Sequence, residues 1–87
     1  MPALVFRIIG VKPIEGATEL TIDLGGNTSI SRSWRAAIVD DDGRAVEHGQ
    51  LVIVGLVGGG ANHLCIATVK IPANVVADKY RRVRFDP

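Results

Sequence analysis

Apolar and polar residues alternate with a period of two along most of this chain, the spacing of a strand with one buried face. The pattern is cleanest over residues 17–24, ATELTIDL, where Thr18, Leu20, Ile22 and Leu24 oppose Glu19, Thr21 and Asp23. Residues 34–39 set Trp34, Ala36 and Ile38 against Arg35, Ala37 and Val39. Residues 63–71 set Leu64, Ile66 and Thr68 against His63, Cys65, Ala67, Val69 and Ile71, with Pro72 as the stop. Residues 80–85 place Val83 and Phe85 inward and Arg82 and Arg84 outward. Residues 4–11 and 51–57 are apolar on both faces, as in a strand that is central or covered. Lys12-Pro13 predicts the end of the first, because proline cannot donate to a ladder. Residues 44–48 predict a return strand broken at Gly49, with another over 50–57. Residues 28–33 read as a loop or an edge, and residues 73–79 as a turn or one short helix.

Six or seven short strands separated by turn residues predict one antiparallel β domain over residues 1–87. A β-sandwich is the expected form and a small β-barrel the alternative. Composition agrees: Val, Ile and Thr supply 24 of the 87 residues, and β-branched side chains suit a pleated surface. The two doubly apolar segments then pose a packing problem. A sandwich covers one face of each sheet, and no predicted helix supplies a third layer. Either another subunit covers the spare faces, as in obligate interfaces, or a closed barrel leaves a few aliphatics exposed.

The stretch DDDGRAVEHGQLVI carries a turn signal. An Asp-Gly pair between two β-like runs predicts a hairpin whose turn needs positive φ at its centre. With Asp42, Gly43, Arg44, Val46, Gly49 and Leu51 in sequence, it resembles the strand–turn–strand of immunoglobulin-like and transthyretin-like sandwich modules, including carboxypeptidase regulatory-like domains. The resemblance spans about 14 residues. It implies a sandwich and no functional residue.

Charge and chemistry narrow the function classes. Ten basic and nine acidic side chains leave a net charge of +1, which is no general footprint for nucleic acid or an anionic membrane. The N-terminal apolar run has no basic region before it and is interrupted by Arg7, so it does not read as a signal peptide. No apolar run approaches the roughly 20 residues of a membrane span. Cys65 is the single cysteine, which excludes an internal disulfide. The run GLVGGGANHLC has neither the Lys-Ser or Lys-Thr nor the helix of a phosphate loop, so Gly58–Gly60 reads as a hairpin loop or a docking tip. His63 and Cys65 share a strand face, but a zinc site needs three or four ligands and a nucleophile an accessible, electropositive setting. Asp40, Asp41 and Asp42 lack calcium-loop spacing and fit a turn. Asn27-Thr28-Ser29 has the form of a glycosylation sequon.

The expected function is a non-enzymatic structural or assembly module acting by protein–protein interaction, without cofactor or metal. It would act as a homo-oligomer or a docked subunit of a larger complex, such as a virion or a secretion apparatus, in the cytoplasm or on a virion. Trp34, Arg35, Tyr80, Arg82 and Arg84 are the candidate contacts, because Trp, Tyr and Arg dominate interface energetics. One alternative is a nucleic-acid-binding barrel using Lys79 to Phe85, whose cations otherwise read as a charged edge strand. A second is an enzyme with a Cys65–His63 pair.

Overall fold

The computed structural model describes residues 3–27, 29–58 and 63–87. Six strands and one short helix follow in the order β1 (Leu4–Ile14), β2 (Ala17–Gly25), β3 (Arg35–Val39), β4 (Ala45–Val57), β5 (His63–Val69), α1 (Ala73–Asp78) and β6 (Arg82–Asp86). They close into an antiparallel barrel in the ring order β1-β2-β5-β4-β3-β6. The expected sandwich is therefore replaced by its alternative, the small barrel. The physical reason is that the two longest strands each change partners midway. β1 pairs with β6 over Leu4 to Arg7 and with β2 over Arg7 to Ile14. β4 pairs with β3 up to Leu51 and with β5 from Val52 onward. Two sheets thus share β1 and β4 as corners, and bulges turn such corners. Alternation reports which side chains face inward; it does not report which edges pair.

Bulges also explain the doubly apolar segments. A register shift between Ile8 and Gly10 lets Leu4, Phe6, Ile8 and Val11 all pack against the core. A second shift, between Ile53 and Gly55, does the same for Leu51, Ile53 and Leu56. Val5, Ile9 and Ile14 of β1 and Val52, Val54 and Val57 of β4 remain on the outside. Two strand boundaries differ from the sequence pattern. β1 continues past Pro13, which lies opposite Thr18 just before the hairpin turn. The segments on either side of Gly49 form one strand, β4.

The barrel interior is filled by Leu20, Ile22, Leu24, Ala36, Ile38, Leu51, Ile53, Cys65, Ala67, Val69, Val83 and Phe85. Phe6 meets Phe85 edge to face, with ring centroids 5.8 Å apart, a favourable quadrupolar arrangement. One end is plugged by Val76 of α1 and the other by Ile30, from the segment between β2 and β3. Thr18, the one buried polar residue among those described, donates its hydroxyl to the carbonyl of Ile71. That bond satisfies a group whose unpaired burial would cost about 1–3 kcal/mol.

The hairpin between β3 and β4 forms where Asp-Gly predicted it, with different turn chemistry. Only Gly43 has positive φ (81°) within it. The Gly43 N–H donates to the carbonyl of Asp40, and one Asp40 carboxylate oxygen accepts from the N–H groups of Asp42 and Arg44. This is a type I turn followed by a glycine bulge, stabilised by an Asx turn, rather than a primed turn.

Further along β4 the irregularity is larger. Val39 lies opposite Ala45 and Ala37 opposite Gln50, so two steps on β3 face five on β4. His48, within this wide bulge, has φ of 61°. Gly49 is buried, and a Cβ placed there would clash with Val46 Cγ2 and lie 3.3 Å from Ile38 Cβ. Val46 is β-branched and has little freedom to swing aside. Gly49→Ala is expected to cost about 1–3 kcal/mol in urea unfolding, and adding Val46→Ala should recover part of that loss. A Gly49→Ala chain as stable as the parent would show that the bulge is not packed this way.

Candidate functional site

The outer wall of the barrel can be read strand by strand. β2 displays Glu19, Thr21 and Asp23, the face opposite its buried Leu20, Ile22 and Leu24. β5 displays Leu64, Ile66 and Thr68 on the same argument. The second half of β4 adds Val52, Val54 and Val57, which are 67%, 50% and 53% exposed. Register aligns these sets: Thr68 lies opposite Val52, Ile66 opposite Gly55 and Leu64 opposite Val57. Val52, Val54, Val57, Leu64 and Ile66 therefore form one apolar face without a charged side chain. Across the ring, three positions away from β4, β1 displays Val5, Arg7 and Ile9.

The neighbouring wall is cationic. β3, β6 and β1 lie side by side, with Arg82 opposite Arg7 and Arg84 opposite both Val5 and Ala37. Like charges directly opposite are unfavourable, and local acceptors offset the repulsion. Arg82 Nη2 donates to the carbonyls of Asp40 (3.4 Å) and Asp41 (3.2 Å). Arg84 Nη1 donates to the carbonyl of Gly43 (3.1 Å), and its Nε pairs with Asp86 Oδ2 at 3.2 Å. Both arginines thus clamp the β3–β4 hairpin. β6 is not an edge strand: it pairs on both sides, so its cations do not protect a free edge. Replacing half-buried Arg84 by Ala should cost about 1 kcal/mol in urea unfolding, and Arg82→Ala, more exposed, less. Equal, negligible costs would remove the clamp.

The five candidate contact residues separate into two groups. Arg35, Arg82 and Arg84 share the cationic wall. Trp34 and Tyr80 are half-buried and packed against the core, Trp34 just ahead of β3 and Tyr80 just after α1. Lys79 Nζ sits 5.6 Å from the Tyr80 ring centroid. What alternation did not disclose is the wide bulge carrying His48. An isolated glycine inside a strand pattern, here Gly49, is the available signal for it.

His63 and Cys65 are not an exposed pair. Cys65 is fully buried inside the barrel, while His63 Nδ1 lies 3.3 Å from the carbonyl of Gly58. Burial pushes the Cys65 thiol up from its ordinary 9.0 to about 11, opposite to the activation a nucleophile needs. Gly59 and Gly60 of the glycine loop, and Thr28 of the sequon, lie outside the described residues. Among the described residues no three His, Cys, Asp or Glu side chains converge as metal ligands, and no helix is long and apolar enough to cross a membrane.

The raised thiol value has a consequence for stability. The folded chain keeps the Cys65 proton while the unfolded chain loses it near pH 9.0, so this contribution is complete below that pH and is lost as pH rises toward about 11. Urea midpoints measured from pH 8 to 11 should fall, and the fall should be shallower in Cys65→Ala. Identical slopes would mean that the thiol ionises in the folded chain.

No family model matches the chain, and no curated protein or solved structure matches it.

Proposed function

We propose that this chain is a non-enzymatic assembly module that associates with further copies of itself through the apolar β4–β5 wall. The carrying observation is the set Val52, Val54 and Val57, each at least half exposed, continuous across the ladder with Leu64 and Ile66. Covering each such valine contributes about 1 kcal/mol, and contiguous apolar patches on a small domain mark interaction sites. These five side chains bear no charge, and the carboxylates of Glu19 and Asp23 on adjoining β2 stand at the edge of the face, so an identical face meets it without like-charge repulsion at its centre. That favours a self-complementary contact about a two-fold axis, the commonest arrangement. Docking into a larger complex would use the same wall.

The two alternatives draw less support. Arg82 is held by two carbonyls of the acidic Asp40–Asp42 turn, and a net charge of +1 is not the basic footprint that a nucleic-acid backbone draws on. Cys65 lies inside the barrel with its thiol stabilised.

Native mass at low and high salt tests the proposal. A discrete oligomer that persists in high salt is expected, because apolar contacts are not screened. Val54→Lys should convert it to a folded monomer with an unchanged far-UV circular dichroism spectrum and a melting temperature that no longer rises with protein concentration, while Val5→Lys, across the ring, should leave the mass unchanged. A monomer at both salts, at about 100 μM, a range well above a stable dimer's Kd, would overturn self-assembly.

A further inference from the structure

The cationic wall contains a depression of about 540 Å³, lined by residues of β3, β4 and β6. Its origin is a gap in the lattice of outward side chains. Arg84, Ala37 and Gln50 form one row across three strands. Strands lie about 4.8 Å apart, so Ala37 is a methyl between two long side chains. Ala45, on the neighbouring strand, also lines the floor. Arg35 lies opposite Asp86, one pair along the ladder on the same face, which makes Arg35 and Arg84 diagonal neighbours. Diagonal positions are about 7–8 Å apart, a spacing at which two guanidinium groups can converge on one group. On the far side the wide bulge brings His48 to the rim, at the cost of a left-handed backbone. Strain of this kind clusters at binding sites.

The electrostatics favour an anion. Arg35, Arg84 and Asp86 are the charged side chains of the lining, so cations outnumber anions. Asp86 and the Gly43 carbonyl take Nε and Nη1 of Arg84. They fix the orientation of its planar fork and leave Nη2 without a partner among the described residues. A planar guanidinium held in this way suits phosphate and carboxylate oxygens. The volume lies within the range of small-molecule pockets, about 300–1,000 Å³, so the anion can carry a larger body over the alanine floor.

We propose that this depression binds a small molecule bearing a phosphate or carboxylate group, held between Arg35 and Arg84 above Ala37. The site is separate from the apolar wall and does not rest on self-assembly.

The test is a titration of ¹⁵N-labelled protein with sodium phosphate and, separately, sodium acetate, against sodium chloride at constant ionic strength. Saturable shifts are expected at Ala37, Ala45 and Gln50 and at the Arg35 and Arg84 side chains, absent with chloride. Response to phosphate alone assigns a phosphate ligand; response to acetate as well assigns the wider oxyanion class. Arg35→Gln, at an exposed strand start, should weaken binding about tenfold, the equivalent of one lost charged hydrogen bond. Ala37→Leu should abolish binding by filling the depression. If Ala37→Leu does not fold, Arg35→Gln decides. The proposal is overturned by shifts that fail to saturate with either anion, or that survive both substitutions.

Discussion

β6 closes the barrel. Its five residues pair with β3 along one side and with β1 along the other, and with that insertion every strand in the ring has two neighbours. In a domain of this size, where buried surface is limited, closure lets one continuous core serve all six strands. Val83 and Phe85 belong to the fully buried centre, so the strand that completes the hydrogen bonding also completes the packing. The requirement falls hardest on β1 and β4. Each must pair with two different strands at its two ends, and bulges supply the turn in direction.

Closure changes the meaning of the surface. A barrel has no free edge, so outward side chains are not shielding unpaired backbone. The arginines of β6 have another local task. They reach across β3 to the carbonyls of the hairpin at Asp40, Asp41 and Gly43, and so tie that hairpin to the closing strand. The outward valines of β4 have no comparable internal partner among the described residues. Their exposure runs against the alternation that keeps Glu19, Thr21 and Asp23 on the outside of β2.

Much of this was legible in the sequence. The clean alternation of residues 17–24 gives the facing of β2 correctly at every position from Thr18 to Leu24. That of residues 82–85 gives the buried Val83 and Phe85. Pairing was not legible, because alternation is the same in a sandwich and a barrel. Pro13 misled for a related reason: the loss of one N–H matters little at the last pairs before a turn. The register shifts carry a signal that a strict period of two hides. Gly10, Gly25 and Gly55 each stand at a shift, and Gly49 lies in the wide bulge. Isolated glycines in strand-like runs mark such places. Of the candidate contacts, Arg82 and Arg84 alternate with the apolar Val83 and Phe85 in the sequence and lie on the outer side of β6. Trp34 and Tyr80 qualify by residue type alone, and type does not distinguish a contact on a partner from packing on the chain's own core.

The depression and the apolar wall meet on β4, and the strand's length accounts for this. Its first half pairs with β3 and, through Ala45 and Gln50, helps line the depression. Its second half pairs with β5 and displays the valines. The irregularities at Gly49 and Gly55 bracket the transition. A shorter strand would serve only one sheet, and a regular one would turn Leu56 out of the core. The same departures from regularity that permit closure therefore divide the outside of β4 into a polar, concave half and an apolar half. Those surfaces differ in the chemistry they can receive, since a guanidinium pair selects charge whereas an uncharged aliphatic face selects another apolar surface.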